Sequence, residues 1–332
     1  MKQGTTAKPK IGIVMGDPAG IGPEISLKCV ASSEVYQSCY PVLIGDYGLL
    51  RDLAQRMVPD VTVVRYRVGI GEDKLKPYTA AVHDIGMDST SVRPGLVSMR
   101  AGEIMIRAVE LAFDELRSGN LDGIAIAPLT KEGLASARPH YHSESDLFAD
   151  LTGVRAKIVT KWKAIFRANV TGHLAFREIV ERLNVSGIKE TAQILQETIV
   201  QFGIKQPRLS IAALNPHAGE GGLFGDEEKT IIEPAIESLL EEGLDVRGPI
   251  PADTVFVRAM RGEYEGIVFL YHDQGNIAMK AIAFGQGVVV YARMPWVIVT
   301  PGHGSAYDIA GQGVADATNM AEAVKIAVML AS

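Results

Sequence analysis

The stretch "KIGIVMGDPAGIGPEI" (Lys10–Ile25) decides the fold class. It opens with a short apolar run, passes through a turn rich in glycine and proline, and ends at Pro23 and Glu24, the residue types that favour a helix start. That order predicts a strand, a loop and a helix. Gly20 and Gly22 allow a tight turn and close backbone approach, and the helix N-terminus offers free N–H groups. The loop is not a Walker motif, because no Lys-Ser/Thr follows, and it is not GxGxxG. Alone it is equally well a plain strand–helix connection.

The same alternation continues outward. Strands are expected at Lys10–Gly16, Pro41–Asp46, Gly123–Leu129, Arg208–Leu214, Gly266–His272, Gly287–Arg293 and Trp296–Thr300. Several are apolar at successive positions, as strands buried on both faces are. Helices are expected at Val97–Gly119, Lys189–Phe202, Glu227–Glu242 and Asn319–Leu330. In the first of these, Ile104, Ala108, Leu111, Ala112 and Leu116 form one stripe and Gly119 closes the end. Such alternation predicts an α/β protein with helices on both faces of its sheets.

Composition narrows the function classes. The chain has 332 residues, 47% apolar and 22% charged, with a net charge of −6 and no long basic run. That argues against a nucleic-acid surface, whose affinity rests on clustered Lys and Arg. Cys29 and Cys39 are too few for a disulfide framework and are read as reduced thiols of a cytoplasmic protein. No apolar run reaches the roughly 20 residues of a membrane helix. The polar start "MKQGTTAKPK" lacks a secretory core region and reads as a short disordered tail.

Polar clusters fall where apolar runs end: "GDPAGIGPE", "APLTK", "NPHAGE", "YHDQG" and "TPGHG". In open α/β sheets, ligand sites form beyond the carboxyl ends of strands. His173, His217 and His272 each follow a strand or strand-like run. Singly, each is a capping or hydrogen-bonding residue; together they suit one divalent metal such as Zn, Co or Mn. Lys280, eight residues after His272, is either a surface lysine or a base near a metal-bound hydroxyl. Asp253 is a metal ligand, a carboxylate supporting the ligands, or a helix N-cap.

Taken together, "MGDPAGIGPE", "APLTKEGL", "NPHAGEGGLFGDEE", "GPIPADTVF", "YHDQG....K" and "GHGSAYDIAGQG" resemble the 4-hydroxythreonine-4-phosphate dehydrogenase family, in its order and across Ile11 to about Ala321. The two end loops also resemble the wider isocitrate and isopropylmalate dehydrogenase superfamily. The resemblance implies two α/β/α domains with an interdomain active-site cleft, not a Rossmann fold. The first domain is expected at 11–130 plus 300–332, carrying both termini and much of the cofactor site. The second, 131–299, is expected to carry the metal ligands and the contacts of a homodimer.

By the matched motifs, His173, His217 and His272 ligate the metal (Zn, Co, Mn or Mg) and Lys280 binds substrate; Lys280 or a relay to it takes the proton, and Asp253 is the other catalytic residue expected. Gly302, His303, Gly304, Ser305, Asp308 and Gly311 bind the adenosine end of NAD or NADP. The implied reaction oxidises a hydroxyl near a carboxylate, followed by loss of CO2 where the ketone formed is β to it.

The substrate pocket departs from the family. Where the family has Gly-His-Thr, this chain has Ser143, Glu144 and Ser145. An Asn and an Arg of the family pocket align with Val289 and Ile298. A phosphate dianion wants Arg forks and other donors, which this set does not supply. The reading that follows is a non-phosphorylated hydroxy acid or diol carboxylate, such as the cis-dihydrodiol carboxylates of the terephthalate-type branch. Two other classes compete: a phosphate acyltransferase of the same superfamily fold, which would not need three metal-directed histidines, and a non-catalytic binding protein.

Overall fold

The computed structural model describes residues 8–69 and 75–332. The expected N-terminal tail therefore falls, over residues 1–7, outside the described residues. The chain divides into two compact units, residues 1–156 with 288–332, and residues 157–287. The sequence expectation had the first unit end at 130 and resume at 300. The difference has a packing cause. The helices Lys131–Ala137 and Glu144–Thr152 both pack on the helix Met99–Arg117, and the strand Val297–Pro301 pairs with Gly123–Ile126, so all three belong to the first unit.

Elements are numbered along the chain. The first unit contains β1 (Lys10–Val14), α1 (Gly22–Val30), α2 (Ser33–Ser38), β2 (Tyr40–Gly45), α3 (Tyr47–Met57), β3 (Thr62–Arg65) and β4 (Thr79–Asp84). It continues with α4 (Met99–Arg117), β5 (Gly123–Ile126), α5 (Lys131–Ala137) and α6 (Glu144–Thr152), and closes with β11 (Val288–Ala292), β12 (Val297–Pro301) and α12 (Thr318–Ala331). Its strands run in the order β3-β4-β2-β1-β5-β12-β11. All pair in parallel except β11, which returns antiparallel to β12. Each residue of β5 is buried, as a parallel strand covered on both faces requires. Packed on it, α12 buries Met320, Ala323, Val324 and Ala327. Of the predicted stripe of α4, Ile104, Ala108, Ala112 and Leu116 are buried and Leu111 is half-buried; Ser98 caps the start and Gly119 lies at φ +71 just past the end.

The second unit holds β6 (Lys157–Trp162), β7 (Ile165–Asn169), α7 (Phe176–Arg182), α8 (Val185–Gln201), β8 (Leu209–Ala212) and α9 (Glu233–Glu241). After these come β9 (Val246–Ile250), α10 (Ala252–Met260), β10 (Gly266–Phe269) and α11 (His272–Ala283). Its strand order is β6-β7-β10-β8-β9, parallel except for the β6–β7 hairpin. Under α10 and α11, Phe256, Ile267, Phe269 and Met279 form a buried cluster. Among the described residues no helix is long and apolar enough to cross a membrane.

Candidate active site

In the first unit the two glycine loops meet. Leaving β1, Gly16 turns at φ +70, where a Cβ would lie 2.6 Å from the Ala127 carbonyl oxygen. Asp17 follows and is fully buried. Its Oδ1 accepts from the Ala19 N–H at 2.8 Å. Its Oδ2 accepts from the Tyr307 hydroxyl at 2.6 Å and from Thr130 Oγ1. Thr130 Oγ1 also lies 3.1 Å from Ser305 Oγ and 3.0 Å from the Tyr307 hydroxyl. One carboxylate thus ties together the "GDPAG" loop, the "APLTK" loop and the C-terminal glycine loop. Burial, and then the Asp17 carboxylate, raise the Tyr307 phenol well above its ordinary range, so it stays a donor.

The sequence reading expected free N–H groups at the N-terminus of α1; the amides of the loop leading to it are engaged. The amides of Asp17, Ala19, Gly20 and Ile21 donate to Pro128 O, Asp17 Oδ1, Asp17 O and Ser305 O. The close approach that Gly20 permits is to Ser305, whose Cβ would stand 2.8 Å from a Cβ at Gly20. One turn further on, buried Glu24 accepts from the amides of Ala315 (2.7 Å) and Gly313 (3.2 Å). Lys28, paired with Glu24, donates to the carbonyls of the same two residues. The loop from Gly302 to Gly313 is therefore clamped at both ends.

That loop fits the adenosine end of a nicotinamide cofactor. Gly302 and Gly304 are exposed, and Gly311 turns at φ +76. The His303 ring presents Nδ1 to the Gly304 carbonyl at 3.0 Å, so Nδ1 carries the proton. Nε2 is then a bare acceptor, and it is buried without a partner, suited to an exocyclic amine. Asp308 is exposed, and its backbone carbonyl takes a bond from Gln312.

The predicted substrate residues divide. Glu144 begins α6 and is half-buried; burial raises its carboxyl pKa, the nearby Lys131 opposes the rise, and Asp146 adds to it. Its charge also contributes to holding buried Tyr291 of β11 far above the usual phenol range, after burial itself. Ser145 is buried just behind Glu144, and His142 is exposed. Ile298 is only 1% exposed, within β12 between β5 and β11, and Val289 faces Thr300 across that ladder. Counting residues without gaps assigned Ile298 to a pocket; it is a sheet-core residue, and its apolar character follows from that.

In the second unit, β7 and β10 are parallel neighbours with Asn169 opposite Phe269. Beyond their ends, Thr171 continues the pairing through two bonds to the Leu270 carbonyl. This register delivers His173 and His272 to the same place. Their ring centroids are 4.8 Å apart, tilted by 43°. His272 begins α11 with Nδ1 2.7 Å from Asp273 Oδ1 and Nε2 2.6 Å from Asn276 Nδ2.

His217 stands apart from that description. It follows β8 in the 3-10 segment Pro216–Gly222, where His217, Ala218, Gly219, Glu220 and Gly221 all have positive φ. Left-handed geometry costs roughly 1–2 kcal/mol at each of the three non-glycine residues. Buried Glu228 offsets this by accepting from the amides of Leu214 and Asn215 and from Asn215 Nδ2. The His217 ring is exposed, with Nδ1 3.1 Å from Glu220. Two of the three expected imidazoles are thus brought together, and no group of three His, Cys, Asp or Glu side chains among the described residues is arranged to hold a metal. The donor chemistry of the pair fits a divalent metal, with one of the bonds of His272 exchanged for it.

Lys280 lies exposed in the last turn of α11. Asp253 is exposed in the first turn of α10; Pro251, not Asp253, occupies the N-cap. The cap alternative for Asp253 is therefore set aside, and its charge favours the helix N-terminus through the dipole alone. Sequence reasoning missed the roles of Asp17, Tyr307 and Glu24, polar residues inside the loops it had quoted.

The chain is 35% identical over 323 residues to a D-threonate 4-phosphate dehydrogenase of Pectobacterium atrosepticum, covering 97% of this chain and 99% of the relative. Its structure is similar to that of a 4-hydroxythreonine-4-phosphate dehydrogenase from Klebsiella pneumoniae, with TM-score 0.84, 33% identity and coverage of 98% and 99%. It is also similar to a terephthalate 1,2-cis-dihydrodiol dehydrogenase from Burkholderia xenovorans, with TM-score 0.64, 25% identity and coverage of 97% and 98%. Residues 37–327 match the family described as pyridoxal phosphate biosynthetic protein PdxA, and the chain belongs to that family.

Proposed function

We propose that this PdxA-family dehydrogenase oxidises the secondary hydroxyl of a short hydroxy acid, with NAD or NADP as hydride acceptor and one divalent metal at His173, His272 and His217. The observation that carries the reading is the pair of imidazoles brought ring to ring past β7 and β10. A Zn, Co, Mn or Mg ion there supplies Lewis acidity that favours loss of the hydroxyl proton. The hydride leaves with the electron pair of the C–H bond. Lys280, or a relay to it, takes the proton, and Asp253 is the second catalytic residue of the reading. Where the new ketone is β to that carboxylate, CO2 is lost. The C-terminal loop holds the cofactor through Gly302, His303, Gly304, Ser305, Asp308 and Gly311.

A homodimer in the cytoplasm completes the proposal. Phe176 (77% exposed) and Val180 on α7, with Ile277 and Phe284 (81% exposed) on and just after α11, leave apolar surface that a second copy would cover. Cys29 and Cys39 are free and buried.

The test is reduction of NAD or NADP by the purified protein with each metal, over 3-hydroxy acids that include D-threonate 4-phosphate and 4-hydroxythreonine-4-phosphate. Their unphosphorylated counterparts and a cis-dihydrodiol carboxylate complete the panel. Metal-dependent reduction with any of them, abolished by His272→Ala, is expected; its absence throughout overturns the reading. A non-phosphorylated substrate is the second reading, favoured by Glu144, which stands where the family pocket has a histidine and, ionised, would repel a phosphate dianion. Turnover of D-threonate 4-phosphate far above its unphosphorylated counterpart would sink it.

A further inference from the structure

Arg167 is a charged residue in the middle of β7, only 8% exposed, with no carboxylate partner among the described residues. Burial lowers its guanidinium to about 10, which leaves it cationic at neutral pH. Nη2 donates to Asn276 Oδ1, Nη1 lies 3.4 Å from Asn169 Oδ1, and Nε is buried without a partner. A buried ion held only by amides is costly, and a methionine of similar volume would serve the strand's packing without that cost. Packing alone therefore does not account for it.

The polarity of its bonds does. A guanidinium has donors and no acceptor. The amide of Asn276 must therefore turn its oxygen to Arg167 and its NH2 the other way, toward His272 Nε2 at 2.6 Å. An NH2 group needs an acceptor, so Nε2 must carry the lone pair. The ring proton then resides on Nδ1, where Asp273 Oδ1 accepts it at 2.7 Å. We propose that Arg167 and Asn276 are positioning residues that direct a lone pair, not a proton, to Nε2 of His272. That is the form a Lewis acid requires, and an Nε2-protonated or doubly protonated ring would face the Asn276 NH2 donor to donor. Gly275 makes room for the relay, since a Cβ there would stand 3.1 Å from Arg167 Nη1 and 2.9 Å from Asn169 Oδ1.

The proposal rests on the dehydrogenase reading only for the use made of the lone pair. Its test is run on the full chain without metal, cofactor or substrate, so the two fail separately. Histidine is labelled with 15N, and the His272 signals are identified by their loss in His272→Gln. Long-range proton–nitrogen correlations then report which ring nitrogen is protonated. The expected result is one tautomer, protonated at Nδ1. Arg167→Met, which removes a buried unpaired charge and so should fold, is expected to release His272 into a mixture of both tautomers. Asn276→Asp turns an acceptor toward the ring and is expected to place a proton on Nε2 while Nδ1 keeps its bond to Asp273. Protonation at Nε2 in the unaltered protein overturns the proposal. So does a pure Nδ1 tautomer retained in Arg167→Met, because Asp273 alone would then suffice.

Discussion

The Tyr307 hydroxyl donates to Asp17 Oδ2 at 2.6 Å, joining residues 290 positions apart in the chain. Asp17 is fully buried, so the bond to Tyr307 lies where water cannot replace it. Tyr307→Phe keeps the ring and removes only that donor, leaving Thr130 and Ala19 on the carboxylate. The expected cost is about 1–3 kcal/mol of unfolding free energy, read from urea denaturation. With the C-terminal loop less firmly held, KM for the nicotinamide cofactor should rise more than kcat falls. An unchanged denaturation midpoint would mean the bond contributes nothing net.

Gly20 and Ser305 approach so closely that even a methyl group would be 2.8 Å from both Ser305 Cβ and its carbonyl oxygen. Gly20→Ala should therefore push the C-terminal loop away from its Ile21 N–H bond. Weaker dinucleotide binding, on the order of tenfold for the loss of about 1.4 kcal/mol, is expected by calorimetric titration. Binding of unchanged strength would place the cofactor elsewhere.

The alternation of apolar runs and amphipathic segments made the α/β class legible, and each of the seven strands expected from it is present. The unpredicted strands β3, β4, β6, β7 and β9 carry charge or turn residues: β7 includes Arg167, and β9 includes Gly248 and Pro249. Local composition fails there because neighbouring strands, not the segment's own pattern, impose the extended state. The histidines were legible as strand-end residues. That His173 and His272 would meet depends on the β7–β10 register, which is a long-range property. The domain limits were missed for the same reason, since α5, α6 and β12 reveal where they pack only through partners far away in sequence.

An arginine at Ile298, where the family pocket residue aligns, would have to sit in the β12 core, between β5 and β11. Ile298→Arg should cost several kcal/mol, about the 3–5 kcal/mol seen when a buried charge is left uncompensated. It should give little soluble protein and no gain with phosphorylated substrates. A stable variant with improved phosphate-substrate turnover would restore Ile298 to the pocket.

Glu144 supplies a pH-dependent prediction. Its folded-state pKa is raised, chiefly by burial, above the unfolded value near about 4.3. A carboxyl raised in this way favours folding below the unfolded pKa, and that contribution is lost as pH rises through the folded pKa. Glu144→Gln is neutral at every pH and keeps the shape. The variant should match the unaltered protein at pH 4 and become the more stable of the two as pH rises to neutrality and beyond, read from denaturation midpoints at several pH values. On the proposed role of Glu144 in the substrate pocket, the same substitution would remove the repulsion between its carboxylate and an incoming phosphate. Its kcat/KM should therefore rise for phosphorylated hydroxy acids relative to their unphosphorylated counterparts, by roughly tenfold if about 1.4 kcal/mol of repulsion is relieved. A variant less stable at pH 8, with an unchanged substrate ratio, would mean that Glu144 is well solvated or well paired and takes no part in substrate choice.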